Sequence, residues 1–156
     1  MCKYKLIHIT ILFCCLNFPV VQAYSQNFKT SQSIEGIEIS EQGKKVLFYQ
    51  HRPKSLDGKY ERGGYLHPLY SLNQNILTED FPDDHPYHHG IFWAWHQILV
   101  NDKSIGDGWV YDNVFWKPGK LKVKTKKKYA TIQSEMVWNS QLEGNKPTDI
   151  IKENTS

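Results

Sequence analysis

Lys120-Leu121-Lys122-Val123-Lys124-Thr125-Lys126 alternates lysine with apolar or β-branched residues, and after Lys127-Lys128 comes Tyr129-Ala130-Thr131-Ile132-Gln133-Ser134-Glu135-Met136-Val137-Trp138. A period of two marks a strand with one face inside and one in water, because strand side chains leave the backbone on opposite sides in turn. In the first run Leu121, Val123 and Thr125 oppose four lysines. In the second, Ala130, Ile132, Met136 and Trp138 share a face, with Thr131, Gln133 and Glu135 on the other. Beyond residue 23 no stretch has a convincing helical period. The expected class is therefore all-β, a sandwich or barrel, with the antiparallel β-sandwich preferred.

Upstream, Lys117-Pro118-Gly119-Lys120 reads as a turn, Trp109 to Trp116 as an aromatic strand, and Asn101-Asp102-Lys103 and Gly106-Asp107-Gly108 as turns. His88 to Val100 is the longest strand candidate. Both of its faces are largely apolar, which predicts a central strand covered on each side. Tyr65 to Tyr70 is apolar too, but Pro68 lacks an amide proton, so this is an edge strand or an extended loop. Arg62-Gly63-Gly64 is a glycine-dependent bend, Pro53 to Gly58 a loop, and Ile37 to Gln50 a β-hairpin turning at Glu41 to Lys44. Residues 24–34 form a polar, flexible lead to a domain spanning 35–156. Ile150 to Thr155 begins a strand without a partner, as expected of the N-terminal portion of a truncated domain.

The chain has 156 residues, 40% hydrophobic and 22% charged, a globular composition for one domain. Its 13% aromatic content suits half-buried strands and surfaces that stack on ring-shaped ligands. Lys3 and Lys5 precede an apolar run from Leu6 to Val21, and Val21-Gln22-Ala23 has the small residues of a signal-peptidase site. Residues 1–23 thus read as a signal peptide, and a periplasmic or secreted location is expected. No later segment is apolar and long enough to cross a bilayer as a helix. A lipoprotein would need a small residue before its cysteine, whereas Cys14 follows Phe13 and Cys15 follows Cys14. Cys2, Cys14 and Cys15 all lie in the removable segment, so the mature chain would have no thiol chemistry. Of 19 Lys and Arg, two lie there as well, leaving 17 against 16 acids. The seven lysines between Lys117 and Lys128 alternate with apolar residues and read as a solvated sheet face that resists edge aggregation, not as a nucleic-acid surface.

Chemistry concentrates in Glu79-Asp80-Phe81-Pro82-Asp83-Asp84-His85-Pro86-Tyr87-His88-His89-Gly90-Ile91-Phe92-Trp93-Ala94-Trp95-His96-Gln97. Three readings stand side by side. His85 and His88 with a carboxylate could hold copper, zinc or iron, completed by His67 or His51. His96 is excluded from that set, because an extended strand would place it about 26 Å from His88. An imidazole oriented by Glu79, Asp83 or Asp84 could instead carry protons, while Trp93 and Trp95 offer flat rings to the apolar face of a pyranose. The third reading is structural, with histidines capping strand ends and tryptophans in the core. Arg62-Gly63-Gly64 could present backbone amides to an anion, or simply turn the chain.

These residues resemble the methane oxygenase PmoA-like family of soluble, exported bacterial proteins. The match rests on Tyr65-Leu66-His67-Pro68-Leu69-Tyr70-Ser71 and on Ile76-Leu77-Thr78 continuing through the histidine loop to Trp95. The resemblance implies a fold similar to the galactose mutarotase-type supersandwich, in which a histidine and a glutamate from different strands flank the sugar. It favours His85 and His88 over His89, since members carry arginine at the His89 position. Methane oxidation itself is not expected of a chain lacking a spanning helix. The combined expectation is carbohydrate-associated binding or acid–base catalysis. His85, His88 and Asp84 would act on protons, and His67, Tyr87, Trp93 and Arg62 would contact a small-molecule or carbohydrate ligand. The alternatives are a divalent-metal protein using His85 and His88, and a non-catalytic module.

Overall fold

The computed structural model describes residues 27–141 and 146–156; the signal segment read from the sequence lies outside them. The described residues form eleven strands and no helix. They are β1 (Phe28–Gln32), β2 (Gly36–Glu41), β3 (Lys44–Gln50), β4 (Lys54–Leu56), β5 (Lys59–Arg62), β6 (Tyr65–Leu69), β7 (Ile98–Val100), β8 (Lys103–Gly106), β9 (Phe115–Lys126), β10 (Tyr129–Gln141) and β11 (Pro147–Thr155). Two antiparallel sheets, β1-β2-β3-β6 and β11-β10-β9, are accompanied by two ribbons, β4-β5 and β7-β8. The arrangement is all-β and sandwich-like, with no closed barrel.

The β9–β10 hairpin confirms the alternation: Val123 faces Ile132 across the ladder and Lys122 faces Gln133. Its inward side joins Trp116, Met136 and Trp138 to Ile98 and Val114 in one buried cluster. The β2–β3 hairpin also forms as expected. Gln42 and Gly43 both adopt positive φ, the two-residue turn whose twist matches that of paired strands. β6 lies at a sheet edge, where the missing amide of Pro68 is tolerated. The sheets meet where β1 packs on β9 and β10. His51, just past β3, clasps them: its Nε2 lies 3.2 Å from the Gly119 carbonyl of β9, and its Nδ1 3.2 Å from the Ser134 hydroxyl of β10.

Several expectations are corrected. Residues 28–32 of the supposed lead form β1, paired with β2 along its length. The loop from Pro53 to Gly58 is part of the β4–β5 hairpin, turned by Asp57 and Gly58 at positive φ. Lys117 to Lys120 lies inside β9, where Met136 pairs with Pro118 and Ser134 with Leu121, so the Pro-Gly pair makes a bulge in an edge strand. The 109–116 segment is a turn until Phe115, because Asp107 Oδ1 accepts the amides of Trp109 and Val110. β11 does have a partner: it pairs with β10 from Pro147 to Thr155.

The largest correction concerns His88 to Val100, of which only Ile98–Val100 is strand. Gly90 has a φ of 41°, and a Cβ there would stand 2.0 Å from the Leu66 carbonyl. The chain thus crosses β6 at a single bridge, Leu66 to Ile91, and does not run alongside it. Apolar residues on both faces suggested double coverage, but they serve a folded loop that packs some rings inward and leaves others in water.

Candidate functional site

The histidine loop is closed by its own backbone. Phe81 donates to the His88 carbonyl, His88 to that of His85, and Gly90 to that of Glu79. This compact turn stacks the His85 and His88 rings, with centroids 5.0 Å apart and planes inclined by 11°. Asp84, exposed, lies 3.0 Å from His85 Nδ1. The His88 ring is flanked by the edges of Tyr87 and Trp109. Its Nε2 is buried and has no hydrogen-bond partner among the described residues. Burial first, and then the neighbouring His85, hold the His88 pKa below the ordinary histidine value, so the ring is a neutral base at neutral pH.

The stacked geometry does not suit a shared metal. Imidazole lone pairs lie in the ring plane, and two stacked, nearly parallel planes do not meet at a common ion. Among the described residues no group of three His, Cys, Asp or Glu side chains is arranged to hold one. His67 is also placed elsewhere. Its Nδ1 is 2.9 Å from Thr78 Oγ1, and its ionisable neighbours are Asp80, Lys54 and His89. The distance that excluded His96 is overturned, since its ring and that of His88 both pack on Trp109, at 5.4 and 5.0 Å. His96 pairs with Asp107, 3.2 Å away.

The residue set aside in the sequence, His89, is the one most enclosed. Its ring is fully buried, with Nδ1 2.7 Å from Asp80 Oδ1 and Nε2 3.1 Å from the Tyr60 carbonyl. Asp80 also receives Lys54 at 2.7 Å and the Tyr65 hydroxyl at 3.2 Å. Burial of Asp80 would raise its pKa, but the bonds from His89 and Lys54 outweigh that and hold it below the usual carboxylate value. Nothing in the acidic run distinguishes Asp80 from Glu79, Asp83 and Asp84. Only the bridge between Asp80 and His89 reveals the pair.

Arg62 is fully buried and cannot touch a surface ligand. Its guanidinium lies over Trp116, Phe92 and Trp138, at 4.5, 4.7 and 5.5 Å from the ring centroids. Nη2 donates to the Trp93 carbonyl, and the Tyr111 hydroxyl is another polar neighbour of the guanidinium. Arg62 therefore anchors the backbone that carries Trp93. Tyr87 packs its ring against His85, His88 and Tyr60, within the loop.

Trp93 lies at an open cleft. Trp93 is 62% exposed and Trp95 52% exposed, and a cleft of about 560 Å³ lies beside them, bordered by Trp138, Ile151, Glu153 and Asn154. Trp95 packs on Trp138 at 5.3 Å. Trp138 Nε1 donates to Glu153 Oε2 at 2.9 Å, which orients that carboxylate on the strand opposite the exposed indoles. The sequence had offered Trp93 and Trp95 as a platform but not Glu153, which belongs to a strand expected to stand alone.

Residues 36–156 match the profile of a family described as a family of unknown function (DUF6807). No curated protein and no solved structure matches the chain.

Proposed function

The chain belongs to DUF6807, a family of unknown function, and from the chemistry of its own cleft we propose that it binds carbohydrate, with a sugar ring seated on Trp93 and Trp95. The carrying observation is the pair of half-exposed indoles on one wall and the Trp138-oriented carboxylate of Glu153 on the other. Large aromatic faces left in water are unfavourable unless something covers them, and a pyranose presents both C–H groups to stack on indoles and hydroxyls to donate to a carboxylate. The volume is within the ordinary range of small-molecule sites, roughly 300–1,000 Å³. The likeness of the loop to PmoA-like proteins, and through them to sugar-binding supersandwiches, favours the same ligand class. Export, inferred from residues 1–23, would place the cleft among extracellular glycans.

Acid–base catalysis is a second reading, favoured by the exposed pair of Asp84 and His85. In it Asp84 orients His85, whose ring exchanges a proton with a ligand hydroxyl, while His88, its Nε2 buried, stacks on His85 and holds it in place. His88 does not border the tryptophan cleft, so binding is the primary proposal.

Titrating the chain with neutral mono- and oligosaccharides while following tryptophan fluorescence tests the proposal. A saturable change that disappears in Trp93→Ala and weakens in Glu153→Gln is expected. Saccharide binding that survives Trp93→Ala together with Trp95→Ala would overturn it.

A further inference from the structure

Lys120, Lys122, Lys124 and Lys126 all leave β9 on its outer face and are exposed. At two residues per step their stems are spaced roughly 6.6–6.8 Å apart in a straight row. The cross-strand neighbours of three of them are uncharged, Gln133 facing Lys122, Thr131 facing Lys124 and Tyr129 facing Lys126, while Lys120 lies at the bulge opposite Glu135. Among the described residues none of the four makes an ion pair, whereas Lys152 on the same sheet is 3.7 Å from Glu135. From Lys122 to Lys126 the face carries three positive charges in succession, and the nearest carboxylate on it, Glu135, is engaged by Lys152.

The row lies along a groove. A depression of about 340 Å³ runs past Lys122, Lys124, Lys126 and Tyr129. A second, of about 290 Å³, shares Lys122 and Gln133 with it, adds Lys120 and the Lys152-paired Glu135, and continues to Asn154, Thr155 and Ser156. Those three residues also border the tryptophan cleft. The lysine row and the aromatic cleft therefore adjoin across the end of β11.

We infer that the lysine row binds the carboxylates of a linear acidic polysaccharide, one end of which reaches the tryptophan cleft. This rests on the carbohydrate reading and names the ligand class: an extended glycan bearing uronate groups at regular intervals. A straight row of amines suits a straight polyanion, whereas the phosphates of a nucleic-acid duplex spiral away from a flat strand. Tyr129, whose ring lies 5.7 Å from Lys126 Nζ, offers a sugar face at the far end of the row.

The test compares polygalacturonate, neutral dextran and a single-stranded oligonucleotide on the full chain, at low and high salt. The triple variant Lys122→Gln, Lys124→Gln, Lys126→Gln changes only exposed side chains, and a matching thermal melt verifies that it folds. Polygalacturonate should bind more tightly than dextran, weaken with salt, and lose about tenfold or more in the triple variant. Dextran binding should be unaffected by that variant and abolished by Trp93→Ala. Unchanged polygalacturonate binding in the triple variant overturns the inference, as does tighter binding of the oligonucleotide than of polygalacturonate. If polygalacturonate binds through the lysines while no neutral sugar binds and Trp93→Ala has no effect, the cleft reading fails and the lysine row stands.

Discussion

Asp80 and His89 form a buried pair, Oδ1 to Nδ1 at 2.7 Å, that ties the start of the histidine loop to its end. The opposite ring nitrogen lies 3.1 Å from the Tyr60 carbonyl, so the imidazole is held at both ends by oxygen atoms of other segments. The histidine cluster is therefore divided. His89 belongs to the framework, while His85 and His88 form a stacked pair on the outside of the same turn.

Removing one partner of a buried pair strands the other, at a cost of roughly 3–5 kcal/mol. Asp80→Asn is expected to lose stability on that scale in denaturant unfolding. Because Asp80 titrates below its ordinary value in the fold, the unfolded chain takes up its proton first as pH falls. Its contribution is thus fully present above about pH 4 and declines as the pH drops through the folded value. The acid limb of a pH–stability curve should be shallower in Asp80→Asn than in the wild type.

His51 bridges the sheets in its neutral form, with Nε2–H donating to Gly119 and Nδ1 accepting from Ser134. Burial holds its pKa below the ordinary histidine value. The unfolded chain therefore binds the proton more readily, and stability is full above about pH 6.5 and falls below it. His51→Gln should cost about 1–3 kcal/mol at pH 8 by breaking the clasp, and should remove part of the loss in denaturation midpoint between pH 8 and pH 5.

The tryptophans should separate by role. Trp138, fully buried against Trp116 and Trp95, should cost roughly 3–5 kcal/mol when changed to alanine. Trp93→Ala should change stability by about 0.5 kcal/mol or less while abolishing saccharide binding. Equal destabilisation in the two variants would place Trp93 in the core.

Gly90→Ala combines positive φ with a Cβ driven into the Leu66 carbonyl. The strain, together with displacement of the Leu66–Ile91 bridge, should cost more than about 2 kcal/mol. Hydrogen exchange at the Leu66 and Ile91 amides, which donate to each other's carbonyls, should accelerate in that variant.

Alternation specified the all-β class and the β2–β3 and β9–β10 hairpins, because a strand's inside and outside are written at a spacing of two, and the missing amide of Pro68 pointed to an edge strand or extended loop at β6. It failed at Lys117 to Lys120, where a Pro-Gly pair meant a bulge and not a reversal, and at His88 to Val100, where apolar residues on both faces were compatible with strand and loop alike. The platform tryptophans were legible as aromatic residues near a polar loop. Their partner Glu153, the Asp80–His89 pair and the burial of Arg62 were not. Each depends on which distant segment arrives beside it: β11 alongside β10, Tyr60 against His89, three aromatic rings around one guanidinium. Local periodicity determines which way a side chain points. Only the packing of the sheets decides what it meets.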